Sequence, residues 1–181
     1  MGSPWIHLDV GDGKFTPNIT WGLKPEEVEI AGLPTPGLDW EVHLMVFDPE
    51  TAGEEWLKAG ARRVIVHLET IKNFSLREET GLAISPSTPV EKLEPYLGKI
   101  SFIQILAVNP GLAGQVFDKS VLDKIKFIKT RYPEKTVEVD GGINLETAQL
   151  AKSAGADIVV SASYIFKSQN PKEAYQELKE V

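Results

Sequence analysis

His7 and Asp9 stand two residues apart in the apolar run "WIHLDVGDGKF" (5–15). Side chains alternate faces along a strand, so an imidazole and a carboxylate share one face just before a glycine turn. Similar groups close other apolar runs. His43 lies in "WEVHLMVFDP" (40–49), with Met45 two residues later on the same face, and Asp140 ends the run of "TVEVDGGIN" (136–144), ahead of Gly141 and Gly142. If the strands are parallel, these positions gather at one end of a sheet, where such folds keep their active sites. Two imidazoles and two carboxylates there suit one divalent cation.

Each residue also has a plainer reading. A strand histidine commonly fills a hydrogen-bonded core or rim position, and an Asp before Gly-Gly commonly makes a turn. Asp12–Gly13 is read as such a turn, and His67 in "VIVHLET" (64–70) as a neighbour of the ligands or a structural group, with a ligand role as the lesser alternative. Four such residues at the ends of buried strands weigh toward a cation, because a buried carboxylate needs a compensating partner.

The elements that must position these groups alternate along the chain. Short, β-branched runs predict strands at 5–10, 41–46, 63–68, 81–85, 101–108, 136–140 and 157–161. Helical spacing of Val121, Leu122, Ile125 and Ile128 predicts a helix over 118–130, with Asp118 as its cap. Asn144 and Gly155 bracket a second helix, over 144–154. The segment 22–38, with Pro25, Pro34 and Pro36, reads as irregular, and 70–80 is weakly patterned. "KAGARRVIV" (58–66) echoes "SAGADIVVS" (153–161), which suggests a repeated β-α unit. Such repeats build either a (β/α) barrel or an open doubly wound sheet. No linker divides residues 1–181, so a single domain is expected. Glycine-rich loops after two strands, "NPGLAGQ" (109–115) and "DGGIN" (140–144), and the small residues of "SASYIF" (161–166) after the last strand, offer backbone amides or close approach to an anion such as phosphate.

A net charge of −7 argues against a nucleic-acid or anionic-membrane surface. With no cysteine, disulfides and thiolate metal sites are excluded, and a cytoplasmic setting is expected. The longest apolar runs, such as "ISFIQILAV" (100–108), fall short of a membrane span.

Taken in order, "WIHLDVGDGKFTPNITWG" (5–22), "EVHLMV" (41–46), "ISPSTPVEKLEPYL" (84–97), "VNPGLAGQVF" (108–117), "VEVDGGIN" (137–144) and "AGADIVVSASYIF" (154–166) resemble the motifs of the ribulose-phosphate 3-epimerase family. The resemblance implies a TIM (β/α)8-type barrel, here with about seven β-α units, because the family's first unit and the serine it carries have no counterpart in this sequence. An upstream start or a partner subunit would supply the missing unit; a homo-oligomer is compatible with the sequence. The resemblance further implies one divalent ion (zinc, iron, manganese or cobalt) held by His7, Asp9, His43 and Asp140, with Asp9 and Asp140 as the acid/base pair. It puts phosphate and substrate contacts on Gly111, Leu112, Ala113, Gly114, Gly141, Gly142, Ala162 and Ser163, and an active-site cap on Met45 and Leu106. The implied reaction interconverts D-ribulose 5-phosphate and D-xylulose 5-phosphate. Another ketose phosphate, or binding without turnover, are the alternatives. Gly11 and Leu106 stand where the family has methionines, and Ala162 where it has a glycine.

Overall fold

A computed structural model describes residues 5–20, 24–30, 38–72 and 77–181. It divides into two compact units, Met1–Ala83 and Ile84–Val181. Among the described residues, no helix is long and apolar enough to cross a membrane.

In the first unit, β1 (Trp5–Gly11), β2 (Asp39–Met45), β3 (Arg63–His67) and β4 (Thr80–Ile84) pair in sequence order, every pair parallel. Apolar residues without strict alternation suit strands covered on both faces. Val42, Leu44, Val64, Ile65 and Val66 are accordingly fully buried. The helix α2 (Pro49–Lys58) places Trp56 in the core, edge-on to Trp40 with ring centroids 5.9 Å apart. Between β1 and β2 the structure also contains α1 (Pro25–Ile30), where the sequence reads as irregular. Pro25 opens this helix at a first-turn position that needs no N–H donor, so the proline starts the helix instead of breaking it. Pro34 and Pro36 lie outside the described residues, as does part of 70–80.

The turn after β1 is tightly built. Asp12 Oδ1 accepts from the Lys14 and Phe15 amides at 2.9 and 3.1 Å, and Oδ2 accepts from the Phe47 amide at 2.8 Å. Gly13 takes the left-handed conformation (φ 73°) that glycine tolerates. The chain then returns to Gly11, whose N–H donates to Thr20 Oγ1 at 2.9 Å.

The second unit holds β5 (Phe102–Leu106), β6 (Thr136–Asp140) and β7 (Ile158–Val160), paired in that order and parallel. The helix α3 (Val121–Arg131) buries Val121, Ile125 and Ile128. It begins three residues after the expected start, because Asp118 turns its carboxylate onto the Ser120 amide (2.9 Å) instead of a helical one. Lys124 on α3 donates to the Ser85, Pro86 and Thr88 carbonyls at 3.0, 2.6 and 2.7 Å, anchoring the segment after β4. The helix α4 (Leu145–Ala154) begins where expected: Asn144 Oδ1 accepts from the Thr147 amide, and Thr147 Oγ1 accepts from the Asn144 amide. A short helical turn, α5 (Ser163–Phe166), and α6 (Pro171–Glu180) complete the unit. All seven strands read from the sequence are present, within one or two residues at most ends.

The reciprocal cap on α4 gives a direct stability test. Asn144→Ala is expected to lower unfolding free energy by about 1 kcal/mol, within the usual range for losing such a cap. Urea unfolding should show a lower midpoint with an unchanged slope; an unmoved midpoint would show that the cap does not hold the helix start.

Candidate metal centre

Register assembles the first half of the site. The β1–β2 pairing sets Asp9 opposite His43 and His7 opposite Glu41. Two-residue alternation then stacks both rows on one face. Asp9 Oδ1 lies 3.0 Å from His43 Nδ1 and 3.5 Å from His7 Nε2. One ligand atom from each of His7, Asp9 and His43 falls within 4.8 Å of the other two.

Each imidazole is held on its far side. His7 Nδ1 donates to Glu41 Oε1 at 2.8 Å, and Glu41 Oε2 accepts from Arg63 Nη1 at 2.6 Å. His43 Nε2 meets His67 Nε2 at 2.9 Å, and His67 Nδ1 meets Glu69 Oε2 at 3.0 Å. His43 and His67 are completely buried, and Phe15 from the turn after β1 packs on the His67 ring with centroids 4.7 Å apart. The Asp9 carboxylate, by contrast, keeps 49% of its side-chain surface open to solvent. The result is a pair of rigid nitrogen donors flanking one accessible oxygen donor.

Electrostatics follow this geometry. Burial alone raises the Asp9 pKa, but hydrogen bonds and charge from His43 and His7 outweigh it and hold the carboxyl well below the usual carboxylate range. Complete burial pushes His43 down to about 4, against which its hydrogen bond to Asp9 works only in part. His43 is therefore a neutral ring, and Asp9 an anion, across the physiological range.

These donors fit a divalent ion. The set is mixed nitrogen and oxygen, which suits zinc, iron, manganese and cobalt. Each histidine has its non-facing nitrogen engaged, as metal-ligating histidines do. The sequence pointed to His7, Asp9 and His43, and the structure brings them together. It did not point to Glu41, Glu69 or Arg63. Glu41 sits two residues before His43 on the same strand, so its shared face was visible; its partner His7, 34 residues away, depended on register.

Asp140 closes β6 in the second unit, and its carbonyl accepts from the Ala107 amide at 2.7 Å. The two glycines after it are required there. Gly141 and Gly142 have φ of 102° and 65°, and a Cβ on Gly142 would come within 2.6 Å of the Phe117 backbone nitrogen. In the loop after β5, Gly111 (φ 119°) and Gly114 (φ 81°) make the bends. Gln115 Nε2 ties that loop to the Asn109 and Leu112 carbonyls at 2.7 and 2.8 Å, leaving Leu112, Ala113 and Gly114 exposed. Ala162 and Ser163 stand at the start of α5. Met45 and Leu106 end β2 and β5 as buried side chains. At Gly11 a Cβ would lie 2.9 Å from Thr16 Oγ1 and 3.0 Å from the Asn18 carbonyl, so the turn fills the space a larger residue there would need.

Residues 1–166 match the sequence profile described as the ribulose-phosphate 3 epimerase family. The chain belongs to the ribulose-phosphate 3-epimerase family. It is 38% identical to the ribulose-phosphate 3-epimerase of Bacillus subtilis over 98% of this chain and 87% of that one. Against the Schizosaccharomyces pombe ribulose-phosphate 3-epimerase it is 34% identical, covering 98% and 82% of the two chains. Among solved structures it is similar to 3-hexulose-6-phosphate synthase from Salmonella typhimurium, with a TM-score of 0.68 at 9% identity, covering 97% and 96%. Orotidine 5'-phosphate decarboxylase from Pyrococcus horikoshii gives 0.65 at 18%, covering 98% and 88%. Those structural likenesses speak to the fold, which is the α/β TIM-barrel type. As a ribulose-phosphate 3-epimerase family member the chain is an isomerase of the epimerase class.

The depressed His43 pKa carries a sign for stability. In the unfolded chain a histidine protonates near 6.5, while His43 in the fold stays neutral down to about 4. Over that window the unfolded state binds the extra proton, so acidification destabilises the fold. Asp9 adds a further loss below 3.8, where only the unfolded carboxyl protonates. Urea unfolding of chelator-treated protein between pH 6.5 and 4 should therefore show falling stability, and His43→Gln should flatten that slope. Equal slopes for the two proteins would contradict a neutral, buried His43.

Proposed function

We propose that this chain is a metal-dependent epimerase that interconverts D-ribulose 5-phosphate and D-xylulose 5-phosphate by inverting C3. The observation that carries the reading is the convergence of His7 Nε2, Asp9 Oδ1 and His43 Nδ1, each histidine oriented from behind. Family membership supports adding Asp140, at the end of β6 in the motif "VEVDGGIN", as the fourth ligand. A divalent ion in this set would supply Lewis-acid stabilisation of negative charge on the sugar oxygens beside C3.

The reaction needs two proton-transfer groups on opposite faces of a planar carbon. C3 lies next to the ketone, so removing its proton gives an enediolate, and returning a proton to the other face inverts the centre. Asp9 and Asp140 are assigned to these roles. The low pKa of Asp9 keeps it in the unprotonated form that a base needs. His7 and His43 fix the first carboxylate's surroundings and take no proton from the sugar. The glycine turns at Gly111–Gly114 and Gly141–Gly142, with Ala162 and Ser163, are assigned to the remote phosphate, whose grip would orient the reacting carbon.

The filled space at Gly11 favours a second reading, in which the preferred ketose phosphate differs from the pentulose. A hexulose 6-phosphate is the first alternative to try.

Proton NMR in D₂O tests both readings. With zinc or manganese added, D-ribulose 5-phosphate should gain deuterium at C3 as D-xylulose 5-phosphate appears. Asp140→Asn should slow conversion by about 10²- to 10⁴-fold, the usual worth of a positioned acid/base group. A folded, metal-loaded chain that exchanges nothing on the pentulose but does so on a hexulose 6-phosphate supports the second reading. Exchange on neither sugar contradicts the epimerase assignment.

A further inference from the structure

We propose that His67 and Glu69 are positioning residues that fix which nitrogen of His43 faces the metal, forcing Nδ1 into that role. The inference rests on the metal reading of the site and concerns two residues that reading does not use.

Hydrogen-bond direction carries it. The Glu69 carboxylate can only accept, so His67 Nδ1, 3.0 Å from Oε2, must carry the hydrogen. With that one ring hydrogen on Nδ1, His67 Nε2 is an acceptor. His43 Nε2, 2.9 Å away, must therefore donate. That leaves the lone pair on His43 Nδ1, aimed across 3.0 Å at Asp9 Oδ1. With a cation shared by that lone pair and the Asp9 carboxylate, every contact in the row is favourable. Run in the opposite sense, with the hydrogen on His43 Nδ1, the row would turn the lone pair of His67 Nδ1 onto the Glu69 carboxylate. Glu69 thus sets the direction of the whole chain of bonds.

Packing makes that direction effective. Neither ring has any exposed surface, and Phe15 covers His67. His43 cannot swing out to offer Nε2 instead, because that nitrogen is held by His67 within the core. His7 is held in the complementary sense: Glu41 takes its Nδ1 and leaves Nε2 toward Asp9. One ligand from each of two neighbouring strands thus reaches the same oxygen through a different nitrogen, each fixed by its own glutamate.

The test uses the full chain. Long-range ¹H–¹⁵N NMR of the zinc-loaded protein should show His43 with its hydrogen on Nε2 and zinc on Nδ1. Competition with a chromophoric chelator should show Glu69→Ala binding zinc about 10- to 100-fold more weakly, the range seen when an outer carboxylate behind a metal-ligating histidine is removed. Glu69→Gln, whose amide oxygen still accepts, should recover part of that loss. Asp39→Asn, which removes an equal charge from a surface pair with Arg62, should change nothing. Zinc on His43 Nε2, or unchanged affinity in folded Glu69→Ala, overturns the proposal. If the unsubstituted chain binds no zinc, the metal reading itself fails and this inference with it.

Discussion

A fully buried imidazole has two ring nitrogens that must both find partners, and His43 is that constraint in this protein. Leaving either nitrogen unmatched would cost about 1–3 kcal/mol, a sizeable part of a domain's net stability. Asp9 and His67 supply the partners from the strands on either side. The register of β1 on β2 is therefore a condition for burying His43, in addition to a matter of apolar packing. A slip of one residue would turn Asp9 to the other face and leave the ring unmatched.

Once that register is set, the chemistry follows with few further choices. The same pairing brings His7 to Glu41, and Arg63 at the start of β3 balances the buried carboxylate. The turn after β1 folds back so that Phe15 covers His67, while Asp9 alone in the row stays half open to solvent. Rigid nitrogens around an accessible anion make a site ready for a cation. In the second unit the requirement is of a different kind. There the backbone beyond Asp140 must make two left-handed bends against Phe117 and Val108, and only glycine fits both.

Much of this was legible in the sequence, for physical reasons that can be named. Strands covered on both faces are runs of β-branched residues, so all seven stood out. Asn144 and Gly155 are local signals and bracket α4 as read. His7 and Asp9 share a face by two-residue alternation, which needs no tertiary knowledge. What could not be read depends on register or on competition among local bonds. Glu41 becomes the partner of His7 only once β1 lies on β2. Glu69 acts on His43 through His67, two strands from Asp9. Asp118 was a reasonable cap until Ser120 took its carboxylate, and α1 was hidden because a proline that opens a helix looks, in sequence, like one that breaks it.

The central claim is that these side chains hold one metal ion. Anomalous diffraction at the zinc edge, on crystals of the zinc-loaded chain, tests it most directly. The account predicts a single strong peak within bonding distance of His7 Nε2, His43 Nδ1, Asp9 and Asp140. A zinc-loaded crystal with no peak among these residues, or with its peak elsewhere on the chain, would contradict it.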